Sequence, residues 1–310
     1  MPALLTSVGL FRPEPSGSYS YPQHIDTDSL AALPRSPGIY IFEDERQRPL
    51  YIGKSVSIRA RVLSHLRNPE EARMLQLTRR VSFRRSAGEI GALLLESQLI
   101  KTLQPLFNKK LRRTREMCAL QLVDGMPEVV YGRDVDFSRA PGLYGLFSTR
   151  RAALERLREI VDVHRLCPVL CGLESPGRGG RPCFAAQLGR CAGACTGAEP
   201  RARHAARLVA ALEDLRVMTW PYPGAIGIVE SSDDLSQMHV VDHWCYLGSG
   251  EHPFKGSLPS LARPCFDVDA YAILARPLML GELDIRVLPS RLHGGQPGQT
   301  GRPRKRKNET

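Results

Sequence analysis

Two short apolar runs, Gly38–Phe42 and Leu50–Ile52, flank the charged hexapeptide from Glu43 to Arg48 and predict two strands joined by a long polar hairpin loop. Beyond them Ile58, Val62 and Leu66 recur at i, i+4 and i+8, which predicts a helix from about Val56 to Leu66 with that stripe inward. Arg61 and His65 are also four apart, so they share a different face of the same helix. Val81–Phe83 reads as a third strand. Ser86 and Glu89 have capping-box spacing and open a helix running to about Leu103, where Pro105 stops it. That helix is apolar nearly all round, so most of it should be buried. It carries Glu96, and a buried carboxylate is costly unless it is paired, protonated or bound to a cation. The competing reading turns Glu96 to the one wet edge of the helix.

Elsewhere the pattern is less regular. A short helix is predicted from Thr27 to Leu33, ended by Pro34, and residues 136–145 read as a loop. An amphipathic helix spans 148–163, and a second helix covers about 201–216. Strand-like runs occupy 225–229, 238–246 and 285–288. The Gly/Pro/Cys-rich stretch from Cys167 to Cys195 cannot form long regular elements. The Pro/Gly/Ser-rich start and the basic tail from Arg291, with its PRKRK run, have compositions that predict disorder. The expected plan is a flexible segment (1–33), a catalytic-type α/β domain (34–112), a linker with the cysteine cluster (113–200), an α+β domain (201–290) and a disordered basic tail (291–310). The fold class is α/β, a small three-stranded mixed sheet flanked by helices, followed by a cysteine-rich α+β C-terminal domain.

Charge sharpens the picture of the first domain. Between Lys54 and Arg115 stand 15 Lys and Arg against four acidic residues, so this stretch alone equals the whole chain's net charge of +11. Such a concentration suits a polyanion, and duplex nucleic acid is the commonest large one; a solvated basic face is the alternative. No apolar run reaches the roughly 20 residues of a membrane span. The N-terminus lacks the basic n-region of a signal peptide. Eight cysteines without a secretion signal point to a cytoplasmic chain, where cysteine clusters more often bind metal than form disulfides.

Residues 38–108 thus assemble two strand tyrosines, a lysine, a same-face Arg/His pair and a glutamate on a buried helix. Phosphodiester hydrolysis needs a group that deprotonates water, a cation at the scissile phosphate and positive groups for the charge that builds up. Each role has a candidate. The arrangement resembles the GIY-YIG endonucleases: Gly38-Ile39-Tyr40 and Tyr51-Ile52-Gly53 stand as the motif, followed by Arg61, His65, Glu96 in LLLESQLIKTLQPLFN, and Asn108. Many members carry histidine at the place of His65, whereas the UvrC proteins usually have tyrosine. The resemblance implies one Mg²⁺ or Mn²⁺ held by Glu96, Tyr51 as general base beside Lys54, and Arg61 stabilising the pentavalent phosphate. Tyr40 and His65 would position water or phosphate, and Asn108 would support the site. Gly53 is expected to let the chain turn after the strand and set Lys54 at the helix entrance.

The cysteines Cys183, Cys191 and Cys195 follow a C-x7-C-x3-C spacing, with Cys167 and Cys171 upstream. One upstream cysteine would complete a tetrathiolate site; buried free thiols are the alternative. This region resembles the middle of the UvrC and Cho excinucleases, where the pattern in UvrC holds a [4Fe–4S] cluster; zinc is the other candidate. The residues before it favour Cys167 as fourth ligand, while counting back from Cys183 also permits Cys171. Cys118, Cys245 and Cys265 read as ordinary thiols. The likeness to Cho-type nucleases runs from about Ser36 to Leu288. It implies a single-incision enzyme that cuts damaged double-stranded DNA 3′ of a lesion marked by UvrA and UvrB, with no membrane partner. A recombination or restriction nuclease of the same fold, and a catalytically idle DNA-binding scaffold, are the competing readings.

Overall fold

The computed structural model describes residues 22–109, 116–177, 181–253 and 266–289. It divides into two compact units, residues 1–113 and 114–310. The expected disorder of the start and of the basic tail concerns residues that lie almost wholly outside the described ones, as does Cys265.

The first unit is built on three strands, β1 (Gly38–Glu43), β2 (Pro49–Ser55) and β3 (Arg80–Arg85), in the order β2-β1-β3. Both neighbours run antiparallel to β1, so the sheet is antiparallel and not mixed as expected. The reason is topological: α2 (Ile58–Leu66), a 3₁₀ turn (Pro69–Glu71) and α3 (Ala72–Leu77) carry the chain across β1 to its free edge. Alternation along the central strand then sends side chains to two faces. Tyr40 and Phe42 join Leu50, Ile58, Val62, Leu66, Met74 and Val81 in one core, while Ile39, Ile41 and Ile52 pack with Leu99 and Ile100 of α4 (Glu89–Leu103) on the other face.

Three local expectations are corrected here. Residues 22–33 belong to the first unit's core and not to a flexible segment: the helix expected from Thr27 forms as α1 (Thr27–Ala31), and Ile25, Leu30 and Leu33 are buried in the same core as Tyr40. Helix α4 has no capping box. Its N-cap is Gly88, and the Ser86 hydroxyl donates to the Gly88 carbonyl instead of reaching into the first turn. Lys54 lies within β2, paired with Ile39, and not at a helix entrance, because Ser55–Ser57 intervene before α2.

The second unit contains two antiparallel sheets. The first, in the order β5-β4-β6, comprises β4 (Cys118–Val123), β5 (Met126–Tyr131) and β6 (Leu143–Phe147). It shares a core with α5 (Arg150–Val163) and α7 (Arg201–Leu212). The β4–β5 turn is Asp124-Gly125, both at positive φ, the arrangement that matches the strands' twist. Strand β6 begins inside the stretch expected to be a loop. The second sheet has the order β10-β7-β8-β9, with β7 (Ile226–Ser231), β8 (Ser236–Asp242), β9 (Cys245–Glu251) and β10 (Asp284–Val287). The single run expected at 238–246 is in fact a hairpin, turning at His243-Trp244, both with positive φ. Neither residue advertises a turn. Trp244 is fully buried and His243 bonds to the Asp242 carboxylate. Between the sheets in sequence, the cysteine-rich stretch carries, among the described residues, only the one-turn α6 (Phe184–Gln187), and α8 (Val268–Leu280) precedes β10. No helix among the described residues is long and apolar enough to cross a membrane.

Candidate active site

The two motif strands pair so that Tyr40 faces Gly53 and Phe42 faces Tyr51. That register accounts for Gly53 differently from the sequence expectation. A Cβ there would sit 2.5 Å from Tyr40 Cζ, so the missing side chain is the space in which the Tyr40 phenol lies. Gly38 has a similar origin: it takes φ +150°, and a Cβ would meet the Arg85 Cα at 2.9 Å. Each half of the motif therefore contributes a glycine that lets another element come close. With Gly53 bare, the Tyr40 and Tyr51 rings approach to 6.2 Å between centroids.

Helix α2 closes over these rings. Val62 and Leu66 are buried, which turns His65 toward Tyr40, Phe42 and Tyr51 at centroid distances of 5.3, 5.5 and 5.4 Å. Tyr40 Oη lies 2.7 Å from His65 Nε2, and the other ring nitrogen, Nδ1, is bound by the Glu71 carboxylate. Arg61, one turn earlier, is exposed, and its charge acts on both phenols. Burial, and Tyr51 beside it, hold the Tyr40 phenol far above its ordinary value, with Arg61 pulling the other way. Burial, then the charge of Glu96, also raises Tyr51. His65 is pushed below its ordinary value by burial, against the opposing pull of Glu71. Tyr51, Arg61, His65 and Glu71 line a cleft of about 510 Å³, together with Arg73 and Lys109.

Glu96 stands half-buried on α4, on the opposite face of β2 from α2. Its Oε1 accepts from the backbone N–H of Lys54 at 3.1 Å, and Oε2 has no partner among the described residues. Burial raises its carboxyl above the usual range, while the Lys54 N–H and charge draw it down. One anchored oxygen and one free oxygen suit a cation that takes a single protein carboxylate and completes its shell with water and substrate phosphate, the usual habit of Mg²⁺. The Lys54 ammonium itself is held by Glu89 at 2.5 Å. Asn108 clamps the outer edge of β2: its Nδ2 donates to the Ile52 carbonyl and its Oδ1 accepts from the Ile52 N–H, both at 2.8 Å. The structure therefore brings Tyr40, Tyr51, Arg61 and His65 together, sets Glu96 within electrostatic reach of both phenols, and puts Lys54 and Asn108 in supporting positions. Sequence reasoning passed over Glu71. The Asn68-Pro69 pair was the available signal, since it favours a turn that brings the next acid back beside the helix it follows.

In the second unit the sulfurs of Cys167, Cys183 and Cys195 lie within 4.8 Å of one another, and Cys191 is buried in the same cluster. The Cys183 N–H donates to Cys195 Sγ and the Gly193 N–H to Cys191 Sγ, at 3.5 and 3.3 Å. Burial pushes the Cys183 thiol up to about 12. Cys195 falls below its usual value, because the Cys183 N–H and the neighbouring thiols outweigh its burial. Cys171 is elsewhere, packed in the core of the first sheet with Leu120 and Leu157. Converging sulfurs that receive N–H bonds, in a dry setting, are what a thiolate-held metal needs.

Family models match nearly the whole described chain: the UvrC-like GIY-YIG domain over residues 36–109, the UvrC/Cho excinuclease middle domain over 117–214 and the excinuclease Cho C-terminal domain over 225–292. Excinuclease cho of Escherichia coli strain K12 is 50% identical over 276 residues, covering 89% of this chain and 93% of that protein. The UvrABC system protein C of Haloarcula marismortui is 30% identical over 211 residues, 65% of this chain and 34% of that one. Among solved structures, the magnesium-bound GIY-YIG N-terminal endonuclease domain of UvrC from Thermotoga maritima aligns at 28% identity with a TM-score of 0.25, covering 27% of this chain and 94% of that chain.

Proposed function

The chain belongs to the Cho excinucleases, DNA endonucleases of excision repair, and from that premise we propose that it incises damaged duplex DNA on the 3′ side of a lesion marked by UvrA and UvrB, with the site at Tyr40, Tyr51, Arg61, His65 and Glu96. The observation that carries this reading is a cleft lined by Tyr51, Arg61 and His65, with Tyr40 bonded to His65 behind it and the Glu96 carboxylate within electrostatic reach of both phenols.

Glu96 is the residue that would hold a divalent cation, magnesium or manganese, whose contribution is Lewis-acid polarisation of the scissile phosphate. Arg61 supplies fixed positive charge to the phosphate oxygens as negative charge grows on them. Tyr51, on the cleft wall, takes a proton from the attacking water. Lys54 orients Glu96 through its backbone N–H, and Asn108 holds β2 straight where Tyr51 and Gly53 flank Ile52. Phosphate contacts by the basic first domain provide affinity without base readout, in keeping with a substrate defined by damage rather than sequence. In the second unit, Cys167, Cys183, Cys191 and Cys195 would hold the cysteine-bound centre, a [4Fe–4S] cluster or else zinc. The position of Cys171 in a separate core favours Cys167 as the fourth ligand. Absorbance spectra and metal analysis of anaerobically purified protein, with Cys167→Ser and Cys171→Ser, test that assignment: loss of metal only in Cys167→Ser supports it, and loss only in Cys171→Ser reverses it.

The nuclease reading is tested on an end-labelled duplex carrying one bulky adduct, with UvrA, UvrB, ATP and Mg²⁺. A single cut 3′ of the adduct that disappears in Glu96→Ala is the expected result. Cutting of undamaged or branched DNA without UvrA and UvrB would contradict the repair assignment, and an undiminished cut in the variant would contradict the site.

A further inference from the structure

His65 has both ring nitrogens occupied. Nε2 meets the Tyr40 hydroxyl and Nδ1 meets Glu71. Glu71 is itself held from behind. The Asn68 amide donates to its other carboxylate oxygen at 3.2 Å, and Asn68 Oδ1 accepts from the Glu70 N–H, capping the Pro69–Glu71 turn. This arrangement decides where the protons are. A carboxylate only accepts, so Nδ1 must carry the hydrogen. The neutral ring then presents a bare Nε2, and Tyr40 must be the donor in the 2.7 Å bond.

We propose that Glu71 is the positioning residue of a proton relay behind Tyr51: it fixes His65 as the Nδ1–H tautomer, so that Nε2 can receive a proton from Tyr40 while Tyr51 receives one from water. The inference rests on the nuclease reading above and adds a residue and a proton path to it. In the step, a water O–H breaks and its proton joins Tyr51 Oη. The proton of Tyr51 passes to Tyr40 Oη, and that of Tyr40 passes to His65 Nε2. The water oxygen keeps the electron pair and bonds to phosphorus. Both tyrosines end neutral, and the new imidazolium lies against the Glu71 carboxylate. Such a path answers a difficulty of the site. Both phenols are raised above their ordinary values, so neither stands as a phenolate at neutral pH. A neutral phenol can still act as a base if it sheds its own proton as it gains another, which requires an acceptor in line behind it. Of the two tyrosines, Tyr40 is the one that contacts the imidazole nitrogen.

Two measurements test this on the full chain. In ¹⁵N-histidine-labelled protein without DNA, His65 should show a protonated Nδ1 and an unprotonated Nε2, with that distinction lost in the near-isosteric Glu71→Gln, whose amide offers N–H as well as C=O. A protonated Nε2 in the unaltered protein would overturn the proposal, and this reading needs no nuclease activity. The second is the single-turnover incision rate on the adduct duplex, with DNA affinity measured in parallel. Glu71→Gln should lower the rate by about 10–100-fold, the usual effect of removing a carboxylate that orients a histidine, with affinity unchanged. In a His65→Tyr background the same change should cost nothing further, since Glu71 acts through His65. An equal loss in both backgrounds, or a wild-type rate in Glu71→Gln, would overturn it.

Discussion

Among the described residues, two of the three buried histidines are each set between a carboxylate and a hydroxyl. In the first unit Glu71, His65 and Tyr40 form one such group. In the second, Glu230 and Ser249 bind His239 at 3.0 and 2.5 Å, with the Tyr246 hydroxyl on the serine. The chemistry of the side chains is nearly the same, and the difference lies in what supplies them. Glu230, His239 and Ser249 come from the adjacent strands β7, β8 and β9, and His239 is paired directly with Ser249 in the ladder. The group is a cross-strand clamp, satisfying a histidine that the sheet buries to 1% exposure. Tyr40, His65 and Glu71 come from a strand, a helix and a turn, and His65 and Glu71 line a cleft that also receives Arg61 and Tyr51. A Glu–His–hydroxyl trio is therefore not a site by itself. It becomes a candidate site where separate elements deliver it to a cleft that also carries positive charge.

That contrast can be broken at several points. The largest effect should come from Glu96→Gln, which keeps the shape of the side chain and removes its charge; loss of Lewis-acid assistance worth several kcal/mol lowers single-turnover incision by roughly 10³-fold or more. Next is Gly53→Ala. The added methyl must displace the Tyr40 ring, and a misplacement of about 1 Å can cost on the order of 10²-fold in rate; a near-normal rate would show that Tyr40 has room to move. A smaller effect should appear in pH dependence. His65 must be neutral at Nε2 to accept a proton, and burial lowers its pKa beneath 6.5, so the rate falls only as pH drops through that lowered value. Glu71 opposes the lowering, so Glu71→Gln should move this acid limb to still lower pH, and an upward shift would contradict the relay. The smallest effect on cutting should come from Ser249→Ala in the clamp. It should cost about 1–3 kcal/mol of stability, seen as a lower urea midpoint, and leave incision by the folded protein unchanged.

How much of this was legible in the chain differs between the two units for physical reasons. Helix α2 follows from periodicity, because one face of it is buried, whereas β1, buried on both faces, and α4 show as nearly continuous apolar runs. The motif positions also announced themselves, since Tyr40, Tyr51, Arg61, His65, Glu96 and Asn108 fall at fixed intervals. The purpose of Gly53 did not. Its reason is the ring of a residue 13 positions earlier, which only the strand register reveals. Glu71 was hidden in the same way, in a turn whose conformation rather than its pattern returns the carboxylate to His65. In the second unit the β8–β9 hairpin turns on His243 and Trp244, where tertiary burial of the tryptophan overrides ordinary turn preference. The different surroundings of Cys167 and Cys171 were also invisible in the sequence. Four residues apart in sequence, they enter different cores.

The most direct test of the account is a side-by-side measurement of single-turnover incision by wild type, Glu96→Gln and Ser249→Ala on the same adduct-bearing duplex, each variant first shown to be folded. Cutting should be lost in Glu96→Gln and retained in Ser249→Ala. Undiminished cutting by Glu96→Gln, or loss of cutting in folded Ser249→Ala, would mean that the chemistry does not reside where the first domain's side chains converge.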